Sequence, residues 1–199
     1  MNITLLLEHG LNGLQFGLML LLLAAGLTLI FGIMDFINLA HGSLYMAGAY
    51  FAASFTGMTG SFWLGLLAAV IATALLGVIL EVVVFRHLYQ RDHLSHVLAT
   101  FALILIFNEG ARMIWGAQPL MLNIPPQLAQ PVELLPDFFY SSFRLFIIAT
   151  GLAVAGLLYF VVTKTRIGML VRAGASNREM AVTMGINIKL VFTLLFAFG

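Results

Sequence analysis

A charge-free apolar run extends from Leu11 to Met34, and four further apolar runs follow at about 43–60, 62–85, 97–115 and 144–163. A helix needs about 20 mainly apolar residues to cross the hydrocarbon core of a bilayer. The pattern therefore predicts an all-α, polytopic membrane protein with five spans, of which the second is short and contains glycine. A sixth run begins near Leu190 and reaches Gly199. About ten residues of helix cover only about 15 Å, so a sixth span is only begun, and further spans are expected beyond it. No fixed-period repeat or low-complexity linker interrupts the chain, which reads as one membrane domain over 1–199.

Composition agrees with that pattern. The 199 residues are 62% hydrophobic and 9% charged, with mean hydropathy +1.07, whereas a soluble domain is about a quarter charged. No cysteine occurs, which removes disulfides, thiolate metal sites and a cysteine nucleophile together. No Lys or Arg precedes Arg86, so the first run lacks the basic flank of a cleavable signal and should be retained. The same lack of a basic, aromatic-interleaved surface argues against nucleic-acid binding.

The basic residues predict orientation. Arg86 and Arg91 lie in an 86–96 loop, and Lys164, Arg166, Arg172, Arg178 and Lys189 lie in 164–189. By the positive-inside rule both segments are expected in the cytoplasm. The 116–142 loop is proline-rich, carries Glu133 and Asp137, and has no Lys or Arg, so it belongs on the opposite side, with Arg112 and Arg144 at its membrane edges. Threading back from these loops puts the N-terminus outside.

Between the first two runs stands DFINLAHGSLYMAGAY, residues 35–50. Asp35, Asn38, His41 and Gly42 are polar or helix-breaking where their neighbours suit lipid. One reading is a cytoplasmic turn in which Asp35 or Asn38 caps the next helix. The other is a broken helix at membrane depth, tolerated only where protein or a water-filled cavity surrounds it, and used by transporters to aim backbone dipoles at a substrate. The residues alone leave both open.

The stretch TRIGMLVRAGASNREMAVTMGINIKL, residues 165–190, mixes charge with apolar positions. Ser176 and Glu179 form a capping-box pattern, which predicts a short helix over about 177–184 ended by Gly185. It reads either as a solvated connecting loop or as a docking helix for a soluble partner.

Other constellations carry less. His93 and His96, with His87 and Asp92 nearby, have a spacing that could serve a metal, but a short basic loop is the simpler reading, and no metal or catalytic site is expected. His41 and Ser43 put a hydroxyl near a base without the G-x-S-x-G elbow of a hydrolase. Glu109 with Arg112, and Glu81 with Arg86, read as self-neutralising pairs, although ionisable groups inside a membrane are functional candidates by default. Asp35 is the remaining acid a proton-coupled transporter could use.

Three segments together give the chain a family resemblance: NGLQFGLMLLLLAAGLTLIFGIMDFINLAHGSLYMAGAY from Asn12, EVVVFR from Glu81, and TRIGMLVRAGASNREMAVTMGIN from Thr165. In order and spacing they resemble the LivH-type permease subunit of bacterial ABC importers for branched-chain amino acids. The resemblance implies a multi-pass protein of the bacterial inner membrane, with several more spans than are present here. It also implies a second, related permease, two cytoplasmic ATPase subunits and a periplasmic substrate-binding protein as partners. Asn38, His41 and Gly42 fall on the family signature and are expected to line the substrate pathway, which favours the broken-helix reading. The 165–189 stretch falls on the coupling region, with Arg172, Ala173, Asn177, Ala181, Met184 and Gly185 as expected ATPase contacts. No G-x-x-x-x-G-K-[ST] occurs in the chain, so it has no P-loop for ATP phosphates; ATP would be bound by partner subunits. Importers of urea or short amides have a similar signature, and a stand-alone channel or secondary transporter is the alternative of another class.

Overall fold

The apolar runs fold as helices in the computed structural model, which describes residues 3–34, 36, 38–89, 91–136, 138–176, 178–185 and 188–198. Of these, Ile33, Met34, Arg178, Glu179, Val182, Ile188, Lys189 and Phe198 are described by their backbone alone. The long helices are α1 (Ile3–Met34), α2 (His41–Thr59), α3 (Phe62–Leu80), α5 (His93–Trp115) and α7 (Ser142–Lys164). A π-helical segment, Glu81–Phe85, and a last turn α4 (Arg86–Leu88) continue α3 without a break. The remaining helices are α6 (Pro126–Ala129), α8 (Arg166–Ser176), α9 (Arg178–Thr183) and α10 (Ile188–Phe198).

Among the described residues, four helices are long and apolar enough to cross a membrane: Ile3–Gly32, Phe62–Leu88, His93–Trp115 and Ser142–Lys164. The protein is thus a polytopic, α-helical membrane protein. The segment read as the second span forms α2, which is not among the four; His41 and its glycines, serines and tyrosines lower its apolarity. Two elements escaped the sequence pattern. The 116–142 loop contains an antiparallel hairpin of β1 (Pro131–Leu135) and β2 (Phe138–Ser141), and the basic 164–189 segment contains the eleven-residue α8 before the expected short helix α9.

Small residues set how the helices meet, as expected where lipid supplies no hydrophobic drive and close backbone approach supplies the attraction. Gly48 of α2 lies against Thr73 of α3, and Gly65 of α3 against the backbone and hydroxyl of Thr56. The two helices therefore run antiparallel, joined by Gly60, whose φ of 65° closes the end of α2. Gly151 of α7 meets Leu18 of α1, and further along Leu29 shares a cavity with Val161 and Val162, so α1 and α7 run parallel. Gly77 of α3 abuts the Phe196 carbonyl of α10.

The core sits at the end of the bundle that carries Arg86 and α8, called here the basic end. Ile30, Phe36, Leu80, Phe85, Val171, Phe192 and Phe196 form one buried cluster there. Phe85 stacks on Phe196 with ring centres 4.8 Å apart, and Phe36 packs edge-on against Phe85 at 5.1 Å. At the other end, Tyr140 and Arg144 both donate to the Asn12 amide oxygen, at 2.9 and 2.6 Å, tying the hairpin and α7 to α1.

α5 is fastened to α2 by Trp115, whose indole N–H donates to the Ser54 hydroxyl at 2.6 Å while its ring stacks on Tyr50. A hydrogen bond of this kind is worth about 1 kcal/mol net. Ser54→Ala is accordingly expected to lower unfolding stability by about 1 kcal/mol and to shift Trp fluorescence, readable by thermal unfolding in detergent. An unchanged midpoint and spectrum would mean that stacking alone holds the contact.

Candidate functional site

The polar interruption lies inside the bundle. Three neighbours fix the depth at which α2 begins. First, the His41 ring interacts with the main chain of Leu23, and from Leu23 to the end of α1 at Met34 is about 16 Å of helix. Second, extending the Gly48–Thr73 and Gly65–Thr56 register places His41 level with Leu80. From Leu80 to Leu88 is about 12 Å. Third, the Ser54–Trp115 bond places His41 level with Ala102 of α5, about 14 Å from the start of that helix at His93. A surface turn would put the start of α2 beside the ends of its neighbours. Here it begins well below them.

The geometry of that start follows from its residues. Asn38 is 1% exposed and folds its side chain back so that Oδ1 accepts the Ala40 N–H at 3.1 Å. Its carbonyl accepts the His41 N–H at 3.4 Å, and the Ala40 carbonyl takes the N–H groups of Ser43 and Leu44. This is the local turn Asn favours, and it tips the chain into α2 without a Ser, Thr or Asp cap. His41, Ser43, Leu44 and Ala47 are buried, whereas Leu39, Gly42 and Tyr45 share an exposed face. A side chain at Gly42 would meet nothing within 4 Å, so that glycine opens onto free space. Asp35, the acid of this motif, lies outside the described residues.

His41 and Ser43 are two apart on α2, so their side chains leave the helix on opposite sides. The hydroxyl and the base of a hydrolase reading are therefore not brought together.

Level with the start of α2 lies a fully buried acid. Glu81 is 0% exposed, and every polar contact it needs is supplied. Arg86 donates from Nε at 3.3 Å and from its terminal nitrogen at 3.0 Å, Tyr89 donates its hydroxyl at 3.1 Å, and Thr193 of α10 donates at 2.8 Å. The π-helical segment makes this pair possible. Its i→i+5 hydrogen bond from the Arg86 N–H to the Glu81 carbonyl stacks residue 86 over residue 81, which a 3.6-residue turn does not do. The pairing of Glu81 with Arg86 was legible from sequence; Tyr89 and Thr193 were not, because neither carries a charge or a spacing that marks it.

The coupling segment turns sharply off α7. Gly168 packs directly on the carbonyls of Val161 and Val162, where a Cβ has no room. Its N–H meets the Thr165 hydroxyl at 3.2 Å. The Arg172 guanidinium donates to the Val162 carbonyl, a cation at a helix C-terminus where the macrodipole favours one. Arg172, Ala173 and Met184 are exposed, Met184 at 79%. Gly185 is exposed with φ 82°, a left-handed conformation that an L side chain adopts only at a cost. Ala181 is 3% exposed and faces inward, where it seats α9. Asn177 lies outside the described residues.

The histidines near the basic end are used in packing. His96 Nε2 lies 2.8 Å from the Leu88 carbonyl, its ring 4.6 Å from that of Phe36. The exposed Asp92 carboxyl is held below the usual carboxylate range, chiefly by the Ser95 hydroxyl at 2.5 Å. Among the described residues no three His, Asp or Glu side chains gather as a metal site. Glu109 and Arg112 form a 3.3 Å pair that is largely exposed, a geometry that adds little stability.

Residues 10–199 match the family described as branched-chain amino acid transport system, permease component. The chain is 29% identical over 207 residues to the high-affinity branched-chain amino acid transport system permease protein BraD of Pseudomonas aeruginosa. It is 28% identical over 208 residues to the corresponding permease protein LivH of Escherichia coli K12. Each alignment covers 97% of this chain and 66% of the relative. A probable branched-chain amino acid transport permease of Methanocaldococcus jannaschii is 29% identical over 86% of this chain and 55% of its own length. The chain thus spans about two thirds or less of the length of these relatives. No solved structure matches it. Residues from the break at Asn38 to the Glu81 network and the turn at Gly185 all fall inside the matched region, and the chain belongs to the branched-chain amino acid transport permease family.

Proposed function

We propose that this protein is the transmembrane permease subunit of an ATP-driven importer that moves branched-chain amino acids across a bacterial inner membrane. The feature that supports the reading is the start of α2, with Asn38 and His41 buried and Gly42 opening onto free space. Free backbone groups at membrane depth are tolerated only beside protein or water, and they suit a path through which a polar cargo passes. Asn38, His41 and Gly42 are the pathway residues of this reading. The N-terminus outside and the basic end in the cytoplasm complete the topology.

The chain carries no P-loop, so ATP would be bound and hydrolysed by two cytoplasmic ATPase subunits. A second permease and a periplasmic substrate-binding protein complete the complex. The exposed surface of α8, α9 and the Gly185 turn would dock the ATPase through Arg172, Ala173, Asn177, Met184 and Gly185. Ala181 supports that surface from beneath. An importer of urea or short amides would keep the mechanism and change the cargo. A stand-alone channel would need neither nucleotide nor partners.

The test is reconstitution of the complete importer in liposomes, with uptake of radiolabelled leucine and urea followed with and without ATP. Leucine uptake that requires ATP and the binding protein is expected. Urea uptake under the same requirements would change the cargo, and uptake by the permease alone would overturn the assignment. Substituting Arg172 or Gly185 is expected to abolish cargo-stimulated ATP hydrolysis while membrane insertion persists. Normal stimulation in both variants would remove the coupling role from this segment.

A further inference from the structure

The start of α2 holds two buried polar atoms with no partner, within one helical turn. Asn38 Nδ2 and His41 Nδ1 are buried and make no hydrogen bond. Gly42 beside them is exposed, and its N–H belongs to the first turn, whose N–H groups have no acceptor within the helix. A buried polar group left unmet is costly, so the pair needs an explanation. The amide oxygen of Asn38 is already bound to the Ala40 N–H, which leaves the NH2 half of the same group as the free donor.

The chemistry of these groups is specific. Asn38 Nδ2 and the Gly42 N–H are donors beside a helix N-terminus, where an anion is favoured. Nδ1 of His41 has no partner, and in a neutral imidazole protonated at Nε2 it carries a lone pair, so in that tautomer it is an acceptor. Two donors for an anion and one acceptor for a cation, with open space above Gly42, match the two charged groups of an α-amino acid. Leu39 and Tyr45, exposed on the same face, flank the opening with apolar surface.

Building on the transport reading above, we propose that the first turn of α2 is a transit site for the zwitterionic head of the cargo. Asn38 Nδ2 and the Gly42 N–H hold the carboxylate, and His41 Nδ1 accepts from the ammonium. The side chain of the amino acid is left against Leu39 and Tyr45. The site reads the head group and tolerates different apolar side chains. It rejects urea, which lacks both charges.

The test uses the complete permease–ATPase complex in nanodiscs without the binding protein, so that only the transmembrane site is read. Displacement of radiolabelled leucine is measured with leucine, leucinamide, 4-methylpentanoate and urea. Leucinamide, which lacks the carboxylate, and 4-methylpentanoate, which lacks the ammonium, are each expected to compete about tenfold or more weakly than leucine, the loss of one charge-assisted hydrogen bond. Urea is expected not to compete.

Asn38→Asp keeps the bond to Ala40 and replaces the donor by a carboxylate oxygen. It is expected to weaken leucine about tenfold or more relative to leucinamide, a change of preference that a general loss of packing would not produce. His41→Leu is expected to erase the preference for leucine over 4-methylpentanoate. Equal competition by leucine and leucinamide in the wild type, or no saturable leucine binding at millimolar concentration, overturns the site. Either result can coexist with ATP-driven leucine uptake by the same complex, so it would leave the importer reading standing. Loss of that uptake would instead remove the reading on which the site rests.

Discussion

Glu81→Ala is expected to destabilise the protein by about 1.5–3 kcal/mol or more, the net worth of a hydrogen bond to a charged group, because the Arg86 left behind is 36% exposed and is not stranded. The carboxylate is the hub of its cluster. Arg86, Tyr89 and Thr193 all direct donors at it, and its removal takes one acceptor from all three. The effect should reach beyond the site. Thr193 belongs to α10 and Arg86 to the end of the long third helix, so the same carboxylate joins two elements far apart in sequence. Arg86→Ala should cost more, about 3–5 kcal/mol, because it strands a fully buried charge. A Glu81→Leu, Arg86→Met double variant should recover much of the loss, since well-packed apolar residues often replace a buried pair without penalty. Thermal unfolding of the detergent-solubilised variants, followed by the fluorescence of Trp63 and Trp115, measures all three. If the double variant is no better than the single ones, the cluster does more than neutralise itself, and a role in conformational change becomes the reading to pursue.

Gly65→Leu is expected to abolish transport and to lower stability by about 1–3 kcal/mol or more, the range for forcing extra atoms into a packed contact. Even the Cβ of alanine at this position would collide with the backbone of Thr56. Backbone cannot swing aside as a flexible side chain can, so α2 must move away from α3. The start of α2 would move with it, shifting Asn38 and His41 relative to α3. Gly57→Ala is the matched control. It lies on α2, the other helix of the pair, a Cβ there meets nothing within 4 Å, and alanine in a helix is favoured over glycine by about 0.5–1 kcal/mol. Uptake in reconstituted liposomes should be lost in the first variant and kept in the second. Retained uptake in Gly65→Leu would show that the position of α2 relative to α3 is not what transport depends on.

The apolar runs gave the long helices because burial in lipid leaves the backbone no alternative to internal hydrogen bonding. A short helix ahead of Gly185 was also legible, and Gly185 takes the positive φ at which glycine is at ease, but Ser176, read as the cap of that helix, is the last residue of α8. The β-hairpin was not. Its strands carry no clean alternation, with Pro131 at one start and Phe138 and Phe139 side by side, and they pair because Tyr140 and Arg144 anchor them on Asn12 of α1. α8 was hidden for a related reason. Arg166, Gly168, Arg172 and Gly174 look like a loop in isolation, and the helix forms where Gly168 can press against α7 and Val171 can enter the core.

The sequence by itself determined that this is a polytopic helical membrane protein, which end is basic, and that the chain is interrupted at DFINLAHG. Those properties follow from transfer of side chains into lipid and from charge placement, both of which are additive along the chain. Only the tertiary structure decided whether the interruption is a surface turn or a break at depth. That question concerns where His41 sits relative to Leu23, Leu80 and Ala102, and the answer comes from Gly48, Gly65 and Trp115 making contacts far from the motif. The same holds for Glu81, whose charge was visible in the chain but whose second and third partners were not: Tyr89 reaches it from the end of α4, and Thr193 only when α10 packs against the π-helical segment. Distances between residues remote in sequence are products of packing, and no local pattern encodes them.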